Sequence, residues 1–167
     1  MGVFVKGAGM TKFDVDEKWS YDRIFECVNE ATEKGSLGLD KIDAVFASSM
    51  ELDTNGERQR HTGPMLSSMF QKKIPILTVP AGCSGGGSAL WDAIHYLKSS
   101  NAKNVLVVGF EKLVANIPEY VTDEMFRGGE RIYEQTEGMI FPAQNALVCQ
   151  QYMMKYNVSM DDLALVA

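Results

Sequence analysis

The segment TVPAGCSGGGSAL, Thr78 to Leu90, constrains this chain more than any other part of it. It joins an apolar strand, carried by Ile76, Leu77 and Val79, to a helix on which Ala89, Leu90, Ala93, Ile94 and Leu97 recur at helical spacing. Cys83 therefore sits at or next to a helix N-terminus, where unpaired N–H groups and the positive end of the helix dipole favour an anion. That setting lowers a thiol pKa, and the thiolate is the reactive form. Gly85, Gly86 and Gly87 each give up about 1 kcal/mol of helix propensity relative to Ala. Three in succession imply a close approach of backbone, or a turn whose angles other residues disfavour. A free cysteine is more often a small buried hydrophobe, but these surroundings favour a sulfur nucleophile.

Other strand–glycine–helix motifs fit less well. A phosphate-binding loop requires Lys and then Ser or Thr after its last glycine, and Ser88-Ala89 supplies no Lys. A dinucleotide loop requires G-x-G-x-x-G, whereas Gly82, Gly85, Gly86 and Gly87 are spaced differently. Ala81-Gly82-Cys83-Ser84-Gly85 nearly matches a hydrolase nucleophile elbow, which needs an acid and then a histidine downstream. The only downstream histidine, His95, lies twelve residues on along the same helix, about 18 Å away along its axis. His61 precedes the site in the charged run Glu57-Arg58-Gln59-Arg60-His61 and reads as a surface residue. The chain offers a nucleophile without an evident base.

Alternation extends the same logic along the chain. Val3 to Val5 reads as a short strand leading into Gly7-Ala8-Gly9. Ser20 is placed to cap a helix whose apolar face is Tyr21, Ile24, Phe25, Val28 and Ala31, stopped by Gly35. Ile42 to Ala47 reads as a buried strand, and residues from about His61 to Phe70 as a helix with Leu66, Met69 and Phe70 inward. Val105 to Phe110 is a near-continuous apolar run, as expected of a strand covered on both faces. The order predicts an α/β layered fold around a mostly parallel sheet. At 167 residues and 46% hydrophobic content, one domain with one core is expected.

From residue 112 to 140 the pattern breaks into a long excursion with Pro118, Gly128 and Gly129, read as a loop or lid. Arg127 and Arg131 are its candidates for meeting an anion, although charges in long loops are usually just solvated. Helix returns around Ala143 to Tyr156. Ser159-Met160-Asp161-Asp162 then has the form of a capping box ahead of Leu163 to Ala167, a helix that looks cut short.

A net charge of -6, with no basic cluster interleaved with aromatics, argues against nucleic acid or an anionic membrane as partner. No apolar run approaches the roughly 18 residues of a membrane span, and no secretory signal is visible. Cys27, Cys83 and Cys149 are widely spaced, which fits a reducing, cytoplasmic setting and no metal site.

In its VPAGCSGGGSAL setting, Cys83 resembles the nucleophile of the thiolase superfamily. VFVKGAGMTKF, VLVVGFEKL and YMMKYNVSMDDLALVA favour its sterol-carrier-protein-type and archaeal acetyl-CoA acetyltransferase branch. Ketoacyl synthases and hydroxymethylglutaryl-CoA synthases share the fold and the nucleophile but are not better matched. The resemblance runs the full 167 residues in order and implies one βαβαβαβ half of a thiolase-like layered fold, the catalytic C-terminal half being absent. It implies two-step acyl transfer: Cys83 takes an acyl group from acyl-CoA as a thioester and passes it to a second acetyl-CoA, or the reverse. Coenzyme A thioesters would be substrates, with no permanently bound cofactor, and the Cys83 N–H would lie in an oxyanion hole.

The family's activating histidine and second catalytic cysteine belong to the other half. Neither His61 nor His95 lies in a matching motif, and Cys149 does not resemble the second cysteine. An isolated chain is therefore expected to be inactive or nearly so. The resemblance also implies a homodimer through the strand Ile74 to Val79, whose exposed edge would otherwise invite aggregation. Association with a hydroxymethylglutaryl-CoA synthase, or service as a non-catalytic partner or scaffold subunit, is the remaining expectation.

Overall fold

A computed structural model describes residues 2–15, 17–50, 61–112 and 118–166. The charged run Glu57-Arg58-Gln59-Arg60 and residues 113–117 of the excursion lie outside the described residues. The chain divides into two compact units, Met1–Ala115 and Asn116–Ala167.

The first unit is built on three parallel strands, β1 (Ala44–Ser48), β2 (Ile76–Thr78) and β3 (Val105–Gly109), in the order β2-β1-β3. Register pairs Val45 with Ile76 and Leu106, so β1 is central, and all five of its residues are buried. Its alternation feeds two cores. Val45 and Ala47 join Val108, Ile24 and Val28 of α1 (Ser20–Lys34), Leu66 of α2 (Thr62–Ser67), and Met69. Ala44 and Phe46 point the other way, onto Ala89 and Ala93 of α3 (Gly85–Ser99), with Val79, Tyr96, Val105 and Val107 packed around them. The result is helices on both faces of a parallel sheet, the α/β layering that continuous apolar strands predict.

One expected strand is absent among the described residues. Val3 to Val5 pairs with nothing in the sheet, and Phe4 is 87% exposed. Residues 2–15 instead run over α1. A Cβ at Gly7 would lie 2.1 Å from the Ala31 carbonyl oxygen, and one at Gly9 the same distance from that of Cys27. Only glycine lets the backbone come so close. Met10 N–H donates to Glu30 Oε2 (2.9 Å), and the Arg23 guanidinium reaches the carbonyls of Lys12 (2.9 Å) and Asp14 (3.0 Å). The chain thus follows αβαβαβ in this unit rather than opening on a strand. A smaller correction applies to α1, which is capped at Trp19, its N–H donating to Asp22 Oδ2 (3.3 Å), with Ser20 the first helical residue.

The second unit holds α4 (Pro118–Arg127), a π-helical turn (Arg131–Gln135), α5 (Phe141–Tyr156) and α6 (Met160–Val166). Part of the excursion expected over 112–140 is thus regular helix. The capping box is present: Asp162 N–H donates to Ser159 Oγ (3.2 Å), and Ser159 N–H to Asp162 Oδ2 (2.8 Å).

β3 enters the sheet through Asp43. Its Oδ2 accepts from the N–H groups of Lys103 (2.8 Å) and Asn104 (3.0 Å), while Asp43 N–H donates to the Asn104 carbonyl (2.8 Å). Those two N–H donors, with help from the Lys72 ammonium, hold the Asp43 carboxyl below its ordinary pKa. A depressed native pKa adds stability above the unfolded value of about 4, and this is lost as pH falls through the native one. Asp43→Asn, which mimics the protonated acid, is expected to cost about 1 kcal/mol near neutral pH. The gap from wild type should narrow in denaturant titrations as pH falls below the unfolded value of about 4. An equal gap at both pH values would rule out the carboxylate as its source.

Candidate active site

The site is assembled where the strands end. β1 leads to α2 on one face of the sheet and β2 leads to α3 on the other. Adjacent strands whose connections depart to opposite faces leave a crevice at their carboxyl ends. Cys83 sits there, exposed, in the middle of a 3-10 turn, Gly82–Ser84, joining β2 to α3.

Each neighbour of Cys83 has a local task. Gly82 adopts φ +50°, a left-handed conformation that side chains disfavour. Ser84 ties the turn back on itself, donating through Oγ (2.7 Å) and N–H (3.1 Å) to the Ala81 carbonyl. α3 starts at Gly85 with Ser84 at its cap, so Cys83 stands one residue ahead of the helix cap. Of the three helical glycines, only Gly85 meets the close approach that the sequence led us to expect. A Cβ there would lie 1.9 Å from Ser48 Oγ, whereas at Gly86 and Gly87 it would meet nothing within 4 Å. Ser48, buried at the end of β1, donates to the Val79 carbonyl (2.9 Å), and Val79 N–H donates to Ala47 (2.8 Å). The loop that carries Cys83 is thereby fastened to the central strand.

Two residues that sequence reasoning did not single out complete the surroundings. Met50, two residues past β1, places its thioether 4.0 Å from Cys83 Sγ, which donates to it. Glu111, two residues past β3, accepts from Met50 N–H (2.5 Å) and Ser49 Oγ (3.4 Å). Their signal lay in position, just beyond the carboxyl ends of strands, rather than in any motif.

The other candidates go elsewhere. His95 is exposed on α3, its Nδ1 2.8 Å from the Trp91 carbonyl and its ring against the Trp91 indole, centroids 4.2 Å apart. His61 occupies the N-cap position of α2. Cys27 lies half-buried in α1, donating to the Ile24 carbonyl (3.2 Å), and burial pushes its thiol pKa up. Cys149 lies in α5, within the second unit. Arg127 pairs with Asp123 one turn earlier on α4 (3.1 Å), and Arg131 opens the π-helical turn, exposed. Among the described residues no three His, Cys, Asp or Glu side chains gather as a metal site, and no helix is long and apolar enough to cross a membrane.

A family model described as thiolase, N-terminal domain, matches residues 3–167. The acetyl-CoA acetyltransferase of Methanocaldococcus jannaschii is 25% identical over 164 residues, covering 98% of this chain and 41% of that protein. Sterol carrier protein 2 of Bos taurus is 26% identical over 175 residues, covering 98% of this chain and 31% of its own length. Among solved structures, 3-oxoacyl-[acyl-carrier-protein] synthase III from Aquifex aeolicus superposes with a TM-score of 0.51 at 28% identity. That superposition covers 59% of this chain and 31% of the other. The chain thus spans well under half the length of these relatives.

Proposed function

Because the chain belongs to the thiolase family, matching its N-terminal domain, we propose that Cys83 is the acyl-accepting nucleophile of a CoA-thioester acyltransferase of acetyl-CoA C-acetyltransferase type. The observation that carries this reading is the placement of an exposed thiol in a turn ahead of α3, at the carboxyl ends of parallel strands. The Cys83 thiolate attacks the thioester carbonyl, a new C–S bond forms, and coenzyme A leaves with the proton the thiol gave up. A thiolate suits both attack and departure. The Cys83 N–H serves as oxyanion donor, a contribution of about 3 kcal/mol. Carbon–carbon bond formation with a second acetyl-CoA then releases the thiolate, and in reverse the site cleaves a 3-ketoacyl-CoA. That second step needs a base to take an α proton. His95 meets the Trp91 carbonyl and His61 stands at the N-cap position of α2, so turnover draws on groups outside these residues, and the chain alone acylates without turning over.

The exposed outer side of β2, where Leu77 is 42% exposed, supports pairing of Ile74 to Val79 with a second copy. A second reading, a condensing enzyme acting with carrier-protein thioesters, draws support from the Aquifex neighbour and shares the first step.

Brief exposure to acetyl-CoA followed by intact-mass spectrometry is expected to add one acetyl group, absent in Cys83→Ser. The same adduct on Cys83→Ser would place acylation elsewhere. No adduct, together with slow alkylation of Cys83 by iodoacetamide, would leave the chain a structural partner rather than a nucleophile.

A further inference from the structure

Resting on the acyl-transfer reading of Cys83, we propose that Met50, held by the Glu111 carboxylate, limits the acyl group taken up at Cys83 to short chains. Two sulfur atoms 4.0 Å apart are in contact. An acyl carbon bonded to Cys83 Sγ therefore starts its path with the Met50 thioether as a neighbour. Acetyl ends within that first step. A longer chain has to turn away from Met50 or displace it.

Displacement is resisted from below. Met50 is half-buried, and its backbone N–H is anchored on Glu111 Oε2 at 2.5 Å, with Ser49 Oγ on the same oxygen at 3.4 Å. A hydrogen bond to an ionised acceptor is about twice as strong as a neutral one. Glu111 thus ties the end of β1 to the end of β3, and the thioether stays over the thiol. Methionine is otherwise the most adaptable of apolar side chains, so a fixed size limit here requires the backbone anchor. Glu111 is a positioning residue and Met50 the group in contact.

The test separates this role from acyl transfer itself. Cys83 is alkylated with iodoacetamide and with the bulkier N-phenyl iodoacetamide, a chemistry that needs only a thiol, and the ratio of the two rates is taken. Met50→Ala should raise the bulky-to-small ratio by about tenfold, the lower end of what a pocket achieves against a single extra methylene. Met50→Phe should lower it, and keeps the test decisive if Met50→Ala does not fold. Glu111→Ala should raise the ratio part of the way, and Glu111→Gln, whose neutral amide oxygen still accepts from Met50 N–H, should bring it back toward wild type. Acetyl-, butyryl- and octanoyl-CoA are then compared by intact mass, with Met50→Ala expected to extend labelling to the longer chains. Ratios unmoved by Met50→Ala and Met50→Phe overturn the proposal even if acetylation occurs. Shifted ratios with no acyl adduct from any CoA keep the size limit and sink the acyl-transfer reading instead.

Discussion

Gly85→Ala is expected to destabilise the first unit by about 2 kcal/mol and to slow alkylation of Cys83, although alanine is the better helix former. The new methyl group would sit 1.9 Å from Ser48 Oγ and 3.1 Å from Ser48 Cβ. The hydroxyl can escape only by leaving the Val79 carbonyl, to which it donates at 2.9 Å in a buried setting. An orphaned buried acceptor costs about 1–3 kcal/mol, and crowding at Ser48 Cβ adds to this. Helix propensity returns about 1 kcal/mol. The sign therefore depends on Ser48, which makes the explanation separable from any general intolerance of α3. In a Ser48→Ala background the hydroxyl is gone, so the same substitution should cost less than half as much. Denaturant midpoints of the four proteins give the coupling directly. Additive costs would show that Gly85 is not needed for its approach to Ser48.

That pair illustrates what a sequence discloses and what it does not. β1 and β3 were legible because parallel strands covered by helices on both faces must be apolar almost throughout, and Ile42 to Ala47 and Val105 to Phe110 are. The turn around Cys83 was legible because its glycines are costly in a helix. Which glycine was needed for close approach was not, since Ser48 lies 37 positions away and nothing local marks its neighbour. The same holds for Met50 and Glu111, brought together across 61 positions by the pairing of β1 with β3. Val3 to Val5 misled for a different reason. A run of β-branched and aromatic residues suits a strand, but a strand exists only where an edge accepts it, and Gly7 and Gly9 instead lay this segment on α1. The helix α4 was hidden behind Pro118, read as a breaker although proline is also favoured in a helix's first turn.

Phe46→Ala carries the largest expected loss, about 3–4 kcal/mol. Phe46 is 4% exposed at the centre of β1 and meets the Tyr96 ring edge-on, centroids 5.5 Å apart. With Ala44 and the β3 residues Val105 and Val107 it packs the sheet against α3, whose facing residues, Ala89 and Ala93, are too small to fill the space a phenyl ring leaves. The cavity would therefore stay open, and the cost combines lost transfer energy with lost packing. Phe46→Leu, which keeps most of the volume, should cost about 1–1.5 kcal/mol. Urea midpoints at constant slope give both values. The consequence reaches the site, because α3 holds the turn that carries Cys83. Loosening α3 should broaden the difference between Cys83 alkylation rates below and near the unfolding transition, whereas Ile24→Ala, a comparable loss on the α1 face, should leave that difference nearer wild type. Equal effects of the two substitutions on Cys83 would mean that α3 does not depend on Phe46 for its seat.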